Sequence, residues 1–453
     1  MVEILPFNGL VYNIAKISDI SEVLAPPYDI ISEKDREYLK KLNPYNIVKL
    51  TLPDETDGKN KYESAKINLD NWIRNDILVC EDSSCIYLME ERFLEKDEEK
   101  SFFGFIALLK IEEYEKGKVL RHEMTLSKPK EDRLNLLKAC RTNFEFIYTI
   151  YNDDDKKIYQ VLAEIVKDKP VLSTSVDYDE SINFKLWKIS DKTLISKIIS
   201  LLKTKTILIA DGHHRYETSR LYKQFIQSEK DFKKNTGETD DIAALPGKNH
   251  KPEDYILTLF VAGNQKDIAI HPTHRAVKFN KEFLPEKIIP IIDKYFTIEI
   301  IKEPSEHLIK QKMDHSSSTG RKSLVIITAA GEPLFITLKS SIKDIYRNLG
   351  IIDKSFNEFF ENLDVNLLHK LLLGKLLNEF EIKDIKFIHT ISELFKIIEQ
   401  KNNDDSYDAG FILNAPSIKT VETLSSAGLI MPQKSTYFYP KPCSGLVLYK
   451  FDK

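Results

Sequence analysis

The chain has 453 residues, 42% of them apolar, and its 66 basic and 70 acidic side chains leave a formal charge of −4. That length suits about two or three domains with ordinary cores. The near balance of charge argues against broad nucleic-acid binding, which leaves a basic footprint. No apolar run approaches the roughly 18 residues that a membrane helix needs. The cysteines Cys80, Cys85, Cys140 and Cys443 are scattered, with no CxxC pair and no metal-ligand spacing. Met1-Val2-Glu3-Ile4-Leu5-Pro6 lacks the basic and apolar regions of a signal peptide. A cytoplasmic protein without membrane or nucleic-acid partners is expected.

In chain order, Ala25-Pro26-Pro27-Tyr28-Asp29 is a rigid loop, because each proline fixes its own φ and restrains its predecessor. Ser32 followed by Glu33 and Asp35 opens a helix, and Asn43-Pro44-Tyr45-Asn46 ends it. The apolar Ile47-Val48-Lys49-Leu50 then reads as a strand. A helix from Tyr62 to Asn75 leads to the strand Cys85 to Met89. Phe102 to Ile111 is its expected antiparallel partner, with Glu95 to Lys100 as the turn. The strand Lys118 to Leu120 ends at Arg121-His122-Glu123, before a predicted helix Arg133 to Cys140. A glutamate at a strand end suits a general base, provided a hydroxyl donor lies within about 3 Å. The same cluster equally suits solvated charge capping the next helix.

The densest signal follows. Ile207 to Ala210 reads as a short buried strand, Gly212 as a tight turn, and Thr218, Leu221, Tyr222 and Phe225 recur at helical spacing. A helix beginning near His213 would point its N–H groups and dipole at the turn, an anion site. His213, His214 and Arg215 add donors there, and Asp211 would cap the helix or hold a cation. The polar stretch 228–254 reads as an insertion able to cover the turn. In Ile270-His271-Pro272-Thr273-His274-Arg275, the histidines stand three apart, but Pro272 interrupts any helix and no third ligand is spaced for a metal. Hydrogen-bonding roles for Thr273, His274 or Arg275 are favoured, with a structural loop as the alternative. Polar segments at 314–320 and 401–408 precede strands at Ser323 to Ile327 and Gly410 to Leu413. Near the end, Lys434, Ser435, Thr436 and Lys441 suit phosphate oxygens, while Tyr437, Phe438 and Tyr439 suit either a flat base or a half-buried strand. Gly320-Arg321-Lys322-Ser323 misplaces the lysine of a phosphate loop and lacks its upstream glycine. Alternating strands and helices make this an α/β or α+β chain with mixed sheets.

From end to end the chain resembles the bacterial and archaeal family called domain of unknown function 1015. The matching segments are the Pro-Pro-Tyr-Asp loop, Asn43 to Asn46, His122-Glu123 with Lys130 and Asp132-Arg133, Asp211 to Thr218, Pro272 to Arg275, and Met431 to Lys441. The Asp-Gly-His-His-Arg turn is also similar to the phosphate-binding turn of the ParB/sulfiredoxin-like fold, above all that of archaeal kinases acting on free L-serine. Arg121-His122-Glu123 resembles their Pro-His-Glu segment, with arginine in place of proline. This likeness implies a ParB/sulfiredoxin-like core over 113–280, with insertions near 150–190 and 228–254, between α/β layers at 1–112 and 281–453. It implies transfer of phosphate from ATP or ADP to L-serine. Glu123 would be the base, with Asp211 and His214 also catalytic, and Gly212, His213, His214 and Arg215 would hold nucleotide phosphates. Asp211 would ligate Mg²⁺, while His122, Thr273, His274 and Arg275 would face the acceptor. Lys434, Ser435, Thr436 and Lys441 would complete the phosphate contacts. A metal-dependent phosphatase or nuclease, or a non-catalytic nucleotide-binding regulator, are the alternatives. Glu123 and Asp211 lie farther apart in sequence than in those kinases, so the segment 150–190 must fold aside.

Overall fold

The structure, a computed structural model, describes all residues except 57, 96, 115–116, 126, 237–249, 330, 353, 401–405 and 453. It divides into two compact units, one joining Met1–Ile268 to Pro440–Lys453 and the other comprising Ala269–Tyr439.

The first unit is built on a nine-stranded mixed sheet. Its strands are β1 (Ile4–Leu5), β2 (Ile86–Glu95), β3 (Glu98–Lys110), β4 (Val119–Leu120), β5 (Ile147–Tyr151), β6 (Leu172–Val176), β7 (Asp179–Ile189), β8 (Ile207–Asp211) and β9 (Tyr255–Ala262). They lie in the order β4-β8-β5-β9-β3-β2-β7-β6, with β1 added to β3. The β8–β4 and β9–β5 ladders are parallel and the others antiparallel. Every residue of β9 is buried, which explains why all but Thr258 are apolar in this mid-sheet strand. The helices are α1 (Glu33–Leu42), α2 (Val48–Thr51), α3 (Lys61–Arg74), α4 (Ser127–Cys140), α5 (Lys157–Ile165), α6 (Lys192–Leu202) and α7 (His213–Thr236). Ile158 and Leu162 of α5 and Ile198 and Leu202 of α6 pack with Leu88, Phe105 and Ala107 of the sheet. Leu39, Val48, Leu69, Trp72 and Leu136, from α1 to α4, share a second apolar cluster. The sheet is continuous across residue 112, and the C-terminal Pro440–Lys453 belongs to this unit, so these units differ from the three segments read from the sequence.

The capping box predicted at Ser32 forms: its hydroxyl accepts from the Asp35 N–H while the Asp35 carboxylate accepts from the Ser32 N–H. The strand expected at Ile47 to Leu50 is instead the short helix α2. Asn46 explains the difference. It is fully buried, its Nδ2 donates to the carbonyls of Glu22 and Leu24, and its Oδ1 accepts from the Val48 N–H at 2.9 Å. A side-chain cap thus overrides the β preference of the apolar run. The β2–β3 pairing reaches Glu95↔Glu98, so both strands invade the expected 95–100 turn. Helix α7 continues to Thr236, absorbing the start of the polar stretch expected from 228, and the rest of the suggested covering segment, 237–249, lies outside the described residues.

The second unit holds a six-stranded antiparallel sheet and a two-stranded ribbon. Its strands are β10 (Ala269–His271), β11 (His274–Phe279), β12 (Phe296–Ile300), β13 (Ser323–Thr328), β14 (Gly331–Leu338), β15 (Ile382–Ile388), β16 (Ala409–Ile412) and β17 (Tyr437–Tyr439). The six run β12-β14-β13-β16-β11-β15, and β10 pairs with β17. Helices α8 (Pro285–Ile292), α9 (Glu306–Ser318), α10 (Ile391–Glu399) and α11 (Ile418–Ser426) are its longer amphipathic elements. The polar residues 314–318, expected as a linker, are the last turn of α9. Among the described residues no helix is long and apolar enough to cross a membrane.

One core feature of the first unit makes a stability prediction. Glu91 on β2 is fully buried, neither carboxylate oxygen has a hydrogen-bond partner, and burial pushes its carboxyl well above the usual range. A raised folded pKa favours folding below the unfolded value, and that contribution is lost as pH rises. Replacing Glu91 with methionine should therefore raise the unfolding midpoint at pH 7. The gain should shrink by about 1.4 kcal/mol per pH unit on the way down to pH 4.5. Denaturant titrations at both pH values check this, and a pH-independent difference would contradict it.

Candidate functional site

Strand β8 is buried from Ile207 to Ala210 and delivers Asp211 to the sheet edge. Gly212 follows at φ +92°, a conformation that L side chains rarely adopt. A Cβ there would also meet Ile147 Cγ2 at 2.9 Å and Arg215 Nε at 3.0 Å. Both reasons require glycine, and the chain turns directly into α7 at His213. The first N–H groups of that helix have no carbonyl partner inside it and face the turn. Gly212→Ala should cost about 1–3 kcal/mol of stability from backbone strain alone. A measured loss below a few tenths would mean the turn tolerates a side chain.

The carboxylate of Asp211 holds two cations. Arg215 Nη2 donates to Oδ2 at 2.5 Å, and Lys441 Nζ lies 2.8 Å from Oδ1. Lys441 also reaches Asp29 Oδ2 at 3.2 Å, with only 7% of its side chain exposed. Arg215 further donates to the Phe146 carbonyl. Burial pushes the Asp211 carboxyl up, but Lys441 and Arg215 outweigh it and hold it well below the usual carboxylate range. The Pro-Pro-Tyr-Asp loop is anchored alongside. Tyr28 N–H and Ser444 Oγ both donate to Glu145 Oε1, at 3.0 and 2.7 Å, and Ala25 exchanges backbone hydrogen bonds with Ser444.

Two neutral histidines back the turn. His122 is fully buried, its Nδ1 lies 2.9 Å from the Ile209 carbonyl, and its ring meets that of His213 edge-on at 4.4 Å. A carbonyl only accepts, so Nδ1 of the neutral His122 carries the proton. Burial pushes His122 down to about 4, with Ile209 and Asp211 acting against it. Burial, then the neighbouring His122, hold His213 well below the usual imidazole range. His213 Nε2 is buried and makes no hydrogen bond among the described residues. An unmet polar atom beside a helix N-terminus is what an anionic ligand's oxygen would satisfy.

Glu123 directly follows His122. The parallel register pairs Val119 with Ile207 and Leu120 with Leu208, so the strand that leads to Glu123 runs beside the strand that ends at Asp211. Residues 172–189 form β6 and β7 at the opposite edge of the sheet from β4 and β8, so that part of the intervening segment lies away from the turn. Arg121 is half-buried, 3.7 Å from Glu217 and over the Tyr114 ring. His214 is half-buried on the first turn of α7.

Other expectations change. Asp211 does not fit a Mg²⁺ ligand, because each of its oxygens already faces a cation, Arg215 at Oδ2 and Lys441 at Oδ1. Among the described residues no group of three His, Cys, Asp or Glu could hold a metal, His271 and His274 included. Arg275 presents no open fork: its guanidinium is fully buried and donates to the Thr273 and Lys434 carbonyls and to His369 Nε2. His274 is buried and accepts from the Leu413 N–H, and burial with Arg275 beside it pushes it down to about 3. Both are corrected to structural roles within the second unit. Ser435 donates to the Pro432 carbonyl, and Lys434, at φ +56°, is exposed. Lys434, Ser435 and Thr436 belong to the second unit, Lys441 to the first. Tyr437 and Tyr439 lie on β17, against His389 and His271 respectively.

Sequence reasoning missed Asp29, Glu145 and Ser444 as neighbours of the turn. The Pro-Pro loop was a visible signal for Asp29, but nothing local marks Glu145 or Ser444.

No curated protein matches the sequence. Among solved structures, a free serine kinase in complex with AMP aligns with TM-score 0.33 at 12% identity, covering 74% of this chain and 86% of that one. A conserved hypothetical protein from Pyrococcus furiosus aligns with TM-score 0.33 at 12% identity, covering 76% and 95%. SbnI with a C-terminal truncation, from Staphylococcus aureus, gives 0.33 at 10% identity, covering 76% and 87%. A family model, protein of unknown function (DUF1015), matches residues 4–366, most of the chain. The chain belongs to that family.

Proposed function

We propose that this chain is a nucleotide-dependent phosphotransferase with a ParB/sulfiredoxin-like core, moving a phosphoryl group from ATP or ADP to the hydroxyl of a small metabolite, L-serine first. The observation that carries the reading is the parallel β4–β8 ladder, which sets side by side the strands that lead to Glu123 and to Asp211 at the start of α7. Phosphoryl transfer needs charge stabilisation and an aligned nucleophile more than covalent help. In this reading the first N–H groups of α7, His213 Nε2 and the Arg215 and Lys441 cations receive phosphoryl oxygens. Asp211 and Asp29 orient those cations. The Glu123 carboxylate takes the proton of the acceptor hydroxyl. The hydroxyl oxygen then bonds to the terminal phosphorus as its bridging P–O bond breaks, releasing the shortened nucleotide.

The test is incubation of the full chain with ATP or ADP, with and without Mg²⁺, against a panel of amino acids and polyols, followed by ³¹P NMR. Phosphoserine, or another new phosphomonoester, is expected. Nucleotide hydrolysis without an acceptor would favour the hydrolase, and binding without turnover a regulator. A chain that binds no nucleotide would end this reading.

A further inference from the structure

The second unit holds a cavity of about 310 Å³, and the described residues that line it are all its own. Its size is at the lower end for small-molecule sites. Arg321 and Lys322, just before β13, line it, and so does Arg275. These are the residues of the Gly-Arg-Lys-Ser stretch that fits no phosphate loop by sequence. One carboxylate, that of Asp364, faces the three cations, leaving a net of two positive charges. Asp364 Oδ2 is already met by neutral donors, the Asn414 N–H at 2.8 Å and Nδ2 at 2.9 Å.

Two further features converge on the same space. Ser417, the N-cap of the nine-residue α11, lines the cavity, so the first N–H groups and positive dipole end of that helix lie at its wall. Independently, Thr273 is only 3% exposed, lines the cavity, and its hydroxyl makes no hydrogen bond among the described residues. A buried hydroxyl left unmet costs free energy unless a ligand or water completes it. Dianionic oxygens would accept from that hydroxyl, from the helix N–H groups and from Arg321 and Lys322.

We infer that the second unit binds a small phosphomonoester, a dianion near neutral pH, in this cavity, through residues other than those of the Asp211 turn. The inference does not rest on the phosphotransferase reading. The test is isothermal titration of the full chain with glycerol 3-phosphate, with inorganic phosphate and uncharged glycerol as parallel probes. Glycerol 3-phosphate should bind and glycerol should not. Arg321→Ala with Lys322→Ala should weaken binding by about tenfold or more. Arg321→Lys should keep most of it, and Arg215→Ala should leave it unchanged. Both substituted cations are at least partly exposed, and an unchanged unfolding midpoint will show that the double variant is folded. Absence of binding, equal binding of glycerol, or binding lost with Arg215→Ala but kept in the double variant would each overturn the assignment.

Discussion

Replacing Glu123 with glutamine should lower the turnover number for phosphotransfer by about 10²- to 10⁴-fold, the usual worth of a positioned general base, while nucleotide affinity stays unchanged. The amide keeps the size of the carboxylate but cannot take a proton. Glu123 sits after a strand end rather than inside the core, and its half-buried side chain makes a folding defect a minor concern. Its neighbour His122 carries the packing, through Ile209 and His213. Separate measurement of turnover and of nucleotide binding by calorimetry distinguishes the outcomes. A fall in affinity with turnover preserved would move Glu123 from base to binding residue.

Replacing Lys441 with alanine should have the largest effect on stability. It removes the cation shared by Asp29 and Asp211 and leaves the Asp211 side chain, 17% exposed, paired with Arg215. Breaking a largely buried pair from one side costs about 3 kcal/mol or more. Adding Asp211→Asn should recover part of that loss, because the stranded charge is then gone, and the four unfolding free energies form a double-mutant cycle. The pH dependence has a defined sign. Asp211 is depressed in the folded chain, so its contribution is present above its ordinary value of 3.8 and is lost as pH falls below it. The single variant and the unsubstituted chain should therefore converge in acid. Equal stabilities at pH 7 would show that Lys441 is only a neighbour of Asp211.

What the sequence made legible was local. The strand–glycine–helix of residues 207–213 is readable because an apolar run, one glycine and a helical period sit side by side, and the Ser32 cap because its partner is three residues away. Ile47 to Leu50 misleads because the deciding group, the Asn46 side chain, is anchored by carbonyls of a different loop. Arg275 reads as a contact for the acceptor because sequence does not reveal which carbonyls surround a guanidinium. Lys441 was flagged as a phosphate contact on composition. Its contact with Asp211 and Asp29, and the part of Glu145 in holding the Pro-Pro-Tyr-Asp loop, exist only once distant segments meet in the first unit.

Amide hydrogen exchange across Ile209 to Tyr216, with and without ADP or ATP, tests whether phosphates bind at the start of α7. The backbone N–H groups of Gly212 to Arg215 should exchange more slowly with nucleotide present, and this protection should be reduced in Arg215→Ala. Nucleotide binding that leaves exchange in this segment unaltered, with protection elsewhere in the chain, would contradict the account.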